Sequence, residues 1–162
     1  MKKILFLLLV LFAISCKTKS VSEKSKDNTE KTEAKYLKLD NSSISDMQKN
    51  KAYELGKRIL MTCNISKFKP FNENEATPTV IKNMTQERLT KTCLKFKLRY
   101  GDFKDIELVS VYKIKTDNTT LFRFKALYKK KIANKELRVT LNESNQVSAI
   151  QSLDWTDPFV YK

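Results

Sequence analysis

The stretch C-L-K-F-K-L-R-Y-G-D-F-K-D-I-E-L-V-S-V-Y-K-I-K, Cys93 to Lys115, changes its hydrophobic period at its middle. Up to Tyr100 the apolar residues recur at helical spacing. Leu89, Cys93, Phe96 and Tyr100 form one stripe, with Leu94 and Leu98 widening it. Thr85 reads as the cap that opens this helix. Gly101 reads as the glycine just past its end, in the left-handed conformation that side chains resist. Beyond it the period is two. Ile106, Leu108, Ser110, Tyr112 and Ile114 alternate with Glu107, Val109, Val111, Lys113 and Lys115, as in a strand with one buried face.

Upstream of this switch the sequence predicts more helix. Ser43-Ile44-Ser45-Asp46 has the form of a helix start. Ala52, Leu55, Gly56, Ile59, Leu60 and Cys63 then lie on one face, so a helix is expected from about Ser45 to Asn64. Thr77-Pro78, with proline at a first helical position, opens a short helix to about Asn83. Downstream there are strands. Asp117-Asn118, Ala133-Asn134 and Asn142 to Asn145 are turn signals between Leu121–Lys131, Leu137–Leu141 and a last strand, Val147–Trp155. The expected class is α+β: N-terminal helices packed on a curved four-stranded antiparallel sheet.

The N-terminus reads differently. Lys2 and Lys3 precede the apolar run Ile4–Ile14. Eleven helical residues span about 16 Å, against about 30 Å for a bilayer core, so the run predicts a secretory signal rather than a membrane span. Residues 17–35 are nearly free of apolar side chains and predict a disordered tether. The expected organisation is a signal peptide over 1–15, a modified cysteine and tether over 16–35, and one domain over 36–162.

Ala13-Ile14-Ser15-Cys16 resembles the bacterial lipoprotein box. The resemblance implies cleavage before Cys16 and a lipid on its sulfur, which places the protein in the cell envelope. It would be held by lipid to the outer membrane and face the periplasm. Of the three cysteines, Cys63 and Cys93 then remain as a pair in a compartment that permits disulfides. If their helices pack side by side the two bond; otherwise they pack as small buried thiols.

The chain carries 32 Lys+Arg against 18 Asp+Glu, a formal net charge of +14. Lysine dominates over arginine, a balance that fits an AT-rich genome better than selection for phosphate recognition. With an envelope address, no nucleic-acid partner is expected. Arg123, Lys125, Lys129, Lys131 and Arg138 come from neighbouring strands and could share one outer basic face, either simply solvated or able to bind lipid headgroups, an anionic polysaccharide or an acidic partner.

Helices first, then Gly101-Asp102-Phe103, then long amphipathic hairpins: this order resembles the nuclear-transport-factor-two-like roll, with a cystatin-like helix-on-sheet domain as the alternative. The resemblance implies a pocket between helices and sheet. Phe122, Phe124, Tyr128, Leu137, Val139 and Trp155 are the residues to line it, or to fill it as core.

Catalytic chemistry is scarce. The chain has no histidine and two glycines, which removes His-based nucleophilic mechanisms, the common histidine metal sites and Gly-rich phosphate loops. No cofactor is expected. Roll-like enzymes resembling isomerases or cyclases use an Asp and a Tyr. Here that leaves Tyr53, Tyr100, Tyr112 and Tyr128 with Asp154 or Glu107, and no spacing pairs any two of them. The function expected is a non-catalytic, membrane-tethered module that binds an envelope protein or a small apolar ligand. A small-molecule enzyme or a structural envelope protein are the alternatives.

Overall fold

A computed structural model of the chain describes residues 35–160. The expected signal peptide, Cys16 and the tether up to residue 34 lie outside the described residues. The elements are β1 (Tyr36–Leu39), α1 (Asp46–Ile65), α2 (Pro78–Asn83), α3 (Gln86–Tyr100), β2 (Phe103–Ile114), β3 (Thr119–Tyr128), β4 (Lys135–Leu141) and β5 (Val147–Asp154). The protein is α+β, with an open antiparallel sheet in the order β1-β2-β3-β4-β5. Among the described residues no helix is long and apolar enough to cross a membrane.

Among the described residues the sheet has five strands where four are expected. The extra one, β1, pairs Tyr36 with Ile114 and Leu39 with Val111. Its four residues are too few to display a period.

The helix starts follow from local chemistry. Ser45 Oγ accepts from the Gln48 amide at 3.3 Å and lies 3.2 Å from the Gln48 side-chain oxygen. The N-cap is therefore Ser45, two residues after the Ser43 that opens Ser43…Asp46. Thr85 Oγ1 accepts from the Arg88 amide at 3.4 Å. Pro78 occupies the first turn of α2, where a missing N–H costs nothing.

Both glycines have a structural reason. A Cβ on Gly56 would lie 2.9 Å from Leu137 Cδ2 and 3.0 Å from Val139 Cγ2. The bare backbone lets α1 descend onto β4. Gly101 has φ 76° and ψ −163°, a region that belongs to glycine but is not the left-handed helical one expected. The chain thus turns directly into an extended strand.

One face of the sheet packs under α1 and α3, around Phe122, Phe124, Leu137, Val139 and Leu141. Of α3, Leu89, Cys93 and Tyr100 are buried. Leu94 and Leu98 point away from that core and are exposed.

The alternation expected along β2 breaks within it. A bulge lies between Leu108, opposite Phe124, and Ser110, opposite Arg123. One extra residue moves every later side chain to the other face. Ile106 and Val111 therefore face the helices, while Ser110, Tyr112 and Ile114 turn to the outer face.

Candidate functional site

The disulfide between Cys63 and Cys93 spans Cα atoms 4.6 Å apart and ties α1 to α3. Beside it lies an apolar groove of about 190 Å³ between the two helices and the sheet. α1 contributes Ile59, Leu60 and Cys63. α3 contributes Leu89, Cys93 and Phe96, Met84 precedes it, and Leu137 and Ile150 form the floor. Arg88, Thr92 and Ser152 are the polar residues of the lining. Arg88 is held by its bond to Asn83 Oδ1 at 2.7 Å. Among the described residues no carboxylate lines the groove, and its chemistry there is that of apolar contact with the cation of Arg88 at the edge.

The residues expected to line a pocket are distributed differently. Phe122, Phe124 and Val139 are fully enclosed core; among the set, only Leu137 reaches the groove. Tyr128 packs among Phe96, Tyr100 and Phe103. Its buried hydroxyl has no hydrogen-bond partner among the described residues. Burial and the neighbouring Tyr100 push its pKa well above the usual phenol range.

Trp155 lies on the opposite side of the sheet, with its ring 4.0 Å from the Arg123 guanidinium. There the expected basic face takes another form. Arg123 and Arg138 are cross-strand neighbours, yet each is only 2 % exposed, and Glu136 between them is fully buried. Arg123 Nε donates to Glu136 Oε2 at 2.8 Å. Arg138 Nε donates to the other carboxylate oxygen.

The segment after β5 folds back over these three side chains. Its carbonyls at Thr156, Asp157 and Val160 accept from the guanidiniums. Phe159 stacks on Tyr112 with centroids 4.0 Å apart and closes a small apolar cluster with Tyr36, Ile114 and Leu121. The expected basic face is thus divided. Arg123 and Arg138 form a buried ion cluster, Lys125 is exposed near Trp155, and Lys129 and Lys131 sit in the turn beyond β3.

The tyrosines and carboxylates do not converge on the groove. Asp154 pairs with Lys135 at 2.8 Å, and Glu107 is exposed. A carboxylate not singled out in the sequence does meet a tyrosine: Tyr53 donates to Asp105 Oδ1 at 2.8 Å. Lys57 joins both, 2.7 Å from the Tyr53 hydroxyl and 3.2 Å from Asp105. Burial pushes the Asp105 carboxyl up, but donors from Tyr53, the Ile106 amide and Lys57 hold it below the usual range. The Tyr53 and Asp105 bonds raise Lys57. A carboxylate already satisfied by three donors is a poor general base.

On the loop side, Arg58 forks onto Glu75 through bonds of 2.7 and 2.9 Å. Arg58 holds the Glu75 carboxyl below its usual range. Glu75 in turn anchors residues 72–77, whose Ala76 bridges to Val147 at the start of β5. Among the described residues no three Cys, Asp or Glu side chains are grouped to hold a metal ion.

Comparison with protein-family models, with curated proteins and with solved structures finds no match to this chain.

Proposed function

We propose that this chain is a non-catalytic binding module, lipid-anchored at Cys16 on the periplasmic face of the outer membrane. Its groove between α1 and α3 would accept an apolar side chain from an envelope protein. We read the sheet as the curved sheet of a roll-like domain, with α1 seated against it; the close approach at Gly56 supports that reading. The size and chemistry of the groove carry the functional proposal. At about 190 Å³ it falls below the roughly 300–1,000 Å³ of sites that enclose whole small molecules. Its lining is apolar and lacks a base, which suits an inserted side chain better than an isomerase- or cyclase-like reaction.

The test places a photo-crosslinking residue at Thr92, in the lining, in cells that make the full chain. The expected result is one dominant protein adduct. It should disappear when Ile150→Trp fills the groove while the melting temperature stays within a few degrees, as for a tolerated packing change at a partly open site. Adducts spread over many proteins, or unchanged by the filled groove, would contradict the proposal. They would leave the structural envelope role as the better account.

A further inference from the structure

We propose that the corner built by α3 and the β3–β4 turn docks on an anionic lipid surface, with Leu94, Leu98 and Ile132 entering the headgroup layer. These residues are 62 %, 78 % and 76 % exposed. Leu94 and Leu98 are four residues apart, on the side of α3 opposite its buried stripe. The turn that carries Ile132 is fastened to the end of the same helix. The Lys130 amide donates to Tyr100 O at 3.0 Å, and Lys130 Nζ donates to Leu98 O at 2.9 Å. Gly101 permits this closeness, since a Cβ there would lie 3.3 Å from Lys129 Cβ. Three exposed apolar side chains therefore lie on two segments that these bonds join.

The rim of that corner is basic. α3 supplies Lys91, Lys95, Lys97 and Arg99, and the turn supplies Lys129, Lys130 and Lys131. Acidic groups nearby are Glu87, paired with Lys91 at 2.9 Å, and Asp102, 3.6 Å from Lys97. The positive side chains outnumber the acids, and basic residues are drawn to an anionic bilayer. Exposed leucines flanked by lysines are the pattern of interfacial helices.

The chemistry favours lipid over an acidic protein. Leu94, Leu98 and Ile132 are each more than half exposed, and a fluid headgroup layer takes up exposed apolar side chains without a preformed cavity. A folded partner would need a matching cavity. Basic side chains of either kind are drawn to an anionic bilayer without a fixed partner geometry.

The surface stands on its own residues and does not depend on the anchor, but the two are compatible. β1 begins beside Ile114, at the end of β2 remote from Tyr128. The 12 residues of β2 span about 40 Å. The chain from Cys16 to Lys35 reaches about 65 Å at full extension.

The experiment reconstitutes the full chain on phosphatidylglycerol and, separately, phosphatidylcholine vesicles. A water-soluble amine reagent then labels exposed lysines, read site by site by mass spectrometry. Labelling of Lys95, Lys129 and Lys131 should fall several-fold on the anionic vesicles only. Lys38 and Lys115, at the other end of the sheet, should label equally on both. The double variant Leu98→Asp/Ile132→Asp should restore labelling with an unchanged melting temperature, because both side chains are exposed. Equal labelling on the two vesicles would overturn the lipid surface and leave an acidic protein as the partner to seek. Protection at Lys38 and Lys115 instead, or protection that survives the double variant, would overturn it as well. None of these outcomes bears on whether Cys16 is lipidated, which is read by fractionation of cells.

Discussion

Glu136→Gln lowers the melting temperature by roughly 10–20 °C, corresponding to about 3–5 kcal/mol for breaking a buried ion cluster in a domain of this size. The carboxylate serves two guanidiniums at once, and all three side chains are shielded from water. A glutamine of the same shape accepts from one arginine and presents an N–H₂ to the other. Two cations then remain buried without a counter-charge. The tail over the cluster should loosen as well, because Arg123 and Arg138 hold its carbonyls.

Thermal melts followed by circular dichroism check this. A fluorescence change at Trp155, stacked on Arg123, should precede or accompany the loss. A companion variant, Arg123→Met/Glu136→Leu/Arg138→Met, should recover most of the lost stability, since apolar replacement of a whole ion cluster is often neutral or better. A drop of less than about 2 °C for Glu136→Gln would be below the cost of an uncompensated buried charge and would contradict the buried arrangement.

The second large effect belongs to the disulfide. With a sequence separation of 30 between the cysteines, the chain-entropy model assigns about 3–4 kcal/mol to the closed loop. Cys63→Ala/Cys93→Ala should lower the urea midpoint by an amount set by that loss. Reductant should lower the parent by a similar amount and leave the variant unchanged. Rapid alkylation of both thiols in unfolded, unreduced protein would show that no bond joins them. The groove depends on the same link, since both cysteines stand in its wall. The reduced protein should therefore also lose the crosslink expected at Thr92.

How far the sequence reveals this molecule can be judged element by element. The long helices and strands were legible because each buries one face, and burial writes a period into ten or more residues. Cys63 and Cys93 were legible as a pair because Cys16 is read as lipidated and both of the others lie on inward stripes. β1 left no period in four residues. The bulge at Leu108–Ser110 is silent in sequence, since alternation continues on both sides of an inserted residue; its effect is to turn Tyr112 and Ile114 outward.

The outer face reads as solvated in sequence for a related reason. Arg123 and Arg138 carry the composition of a solvated surface, and only the returning tail makes them interior. A hint existed. Tyr112, Ile114 and Leu121 put apolar groups on that same face, and Trp155 and Phe159 follow the last strand with nowhere else to pack. Lys129 and Lys131 look like strand residues in sequence. The turn places them instead beside α3, where exposed Leu94 and Leu98 acquire a use that an inward-facing stripe would have denied them. The groove was the least legible part. Its lining comes from α1, α3, β4 and β5, and no single segment records how closely those four approach.

The central claim is the anchor at Cys16, because it decides which partners the groove and the basic corner can meet. The most direct measurement is cell fractionation of the full chain and of Cys16→Ser, with membranes washed at high salt to strip electrostatic contacts. The account predicts that the parent stays in the washed membrane fraction and the variant moves to the soluble fraction. A variant that remains on washed membranes in the same proportion as the parent would contradict it.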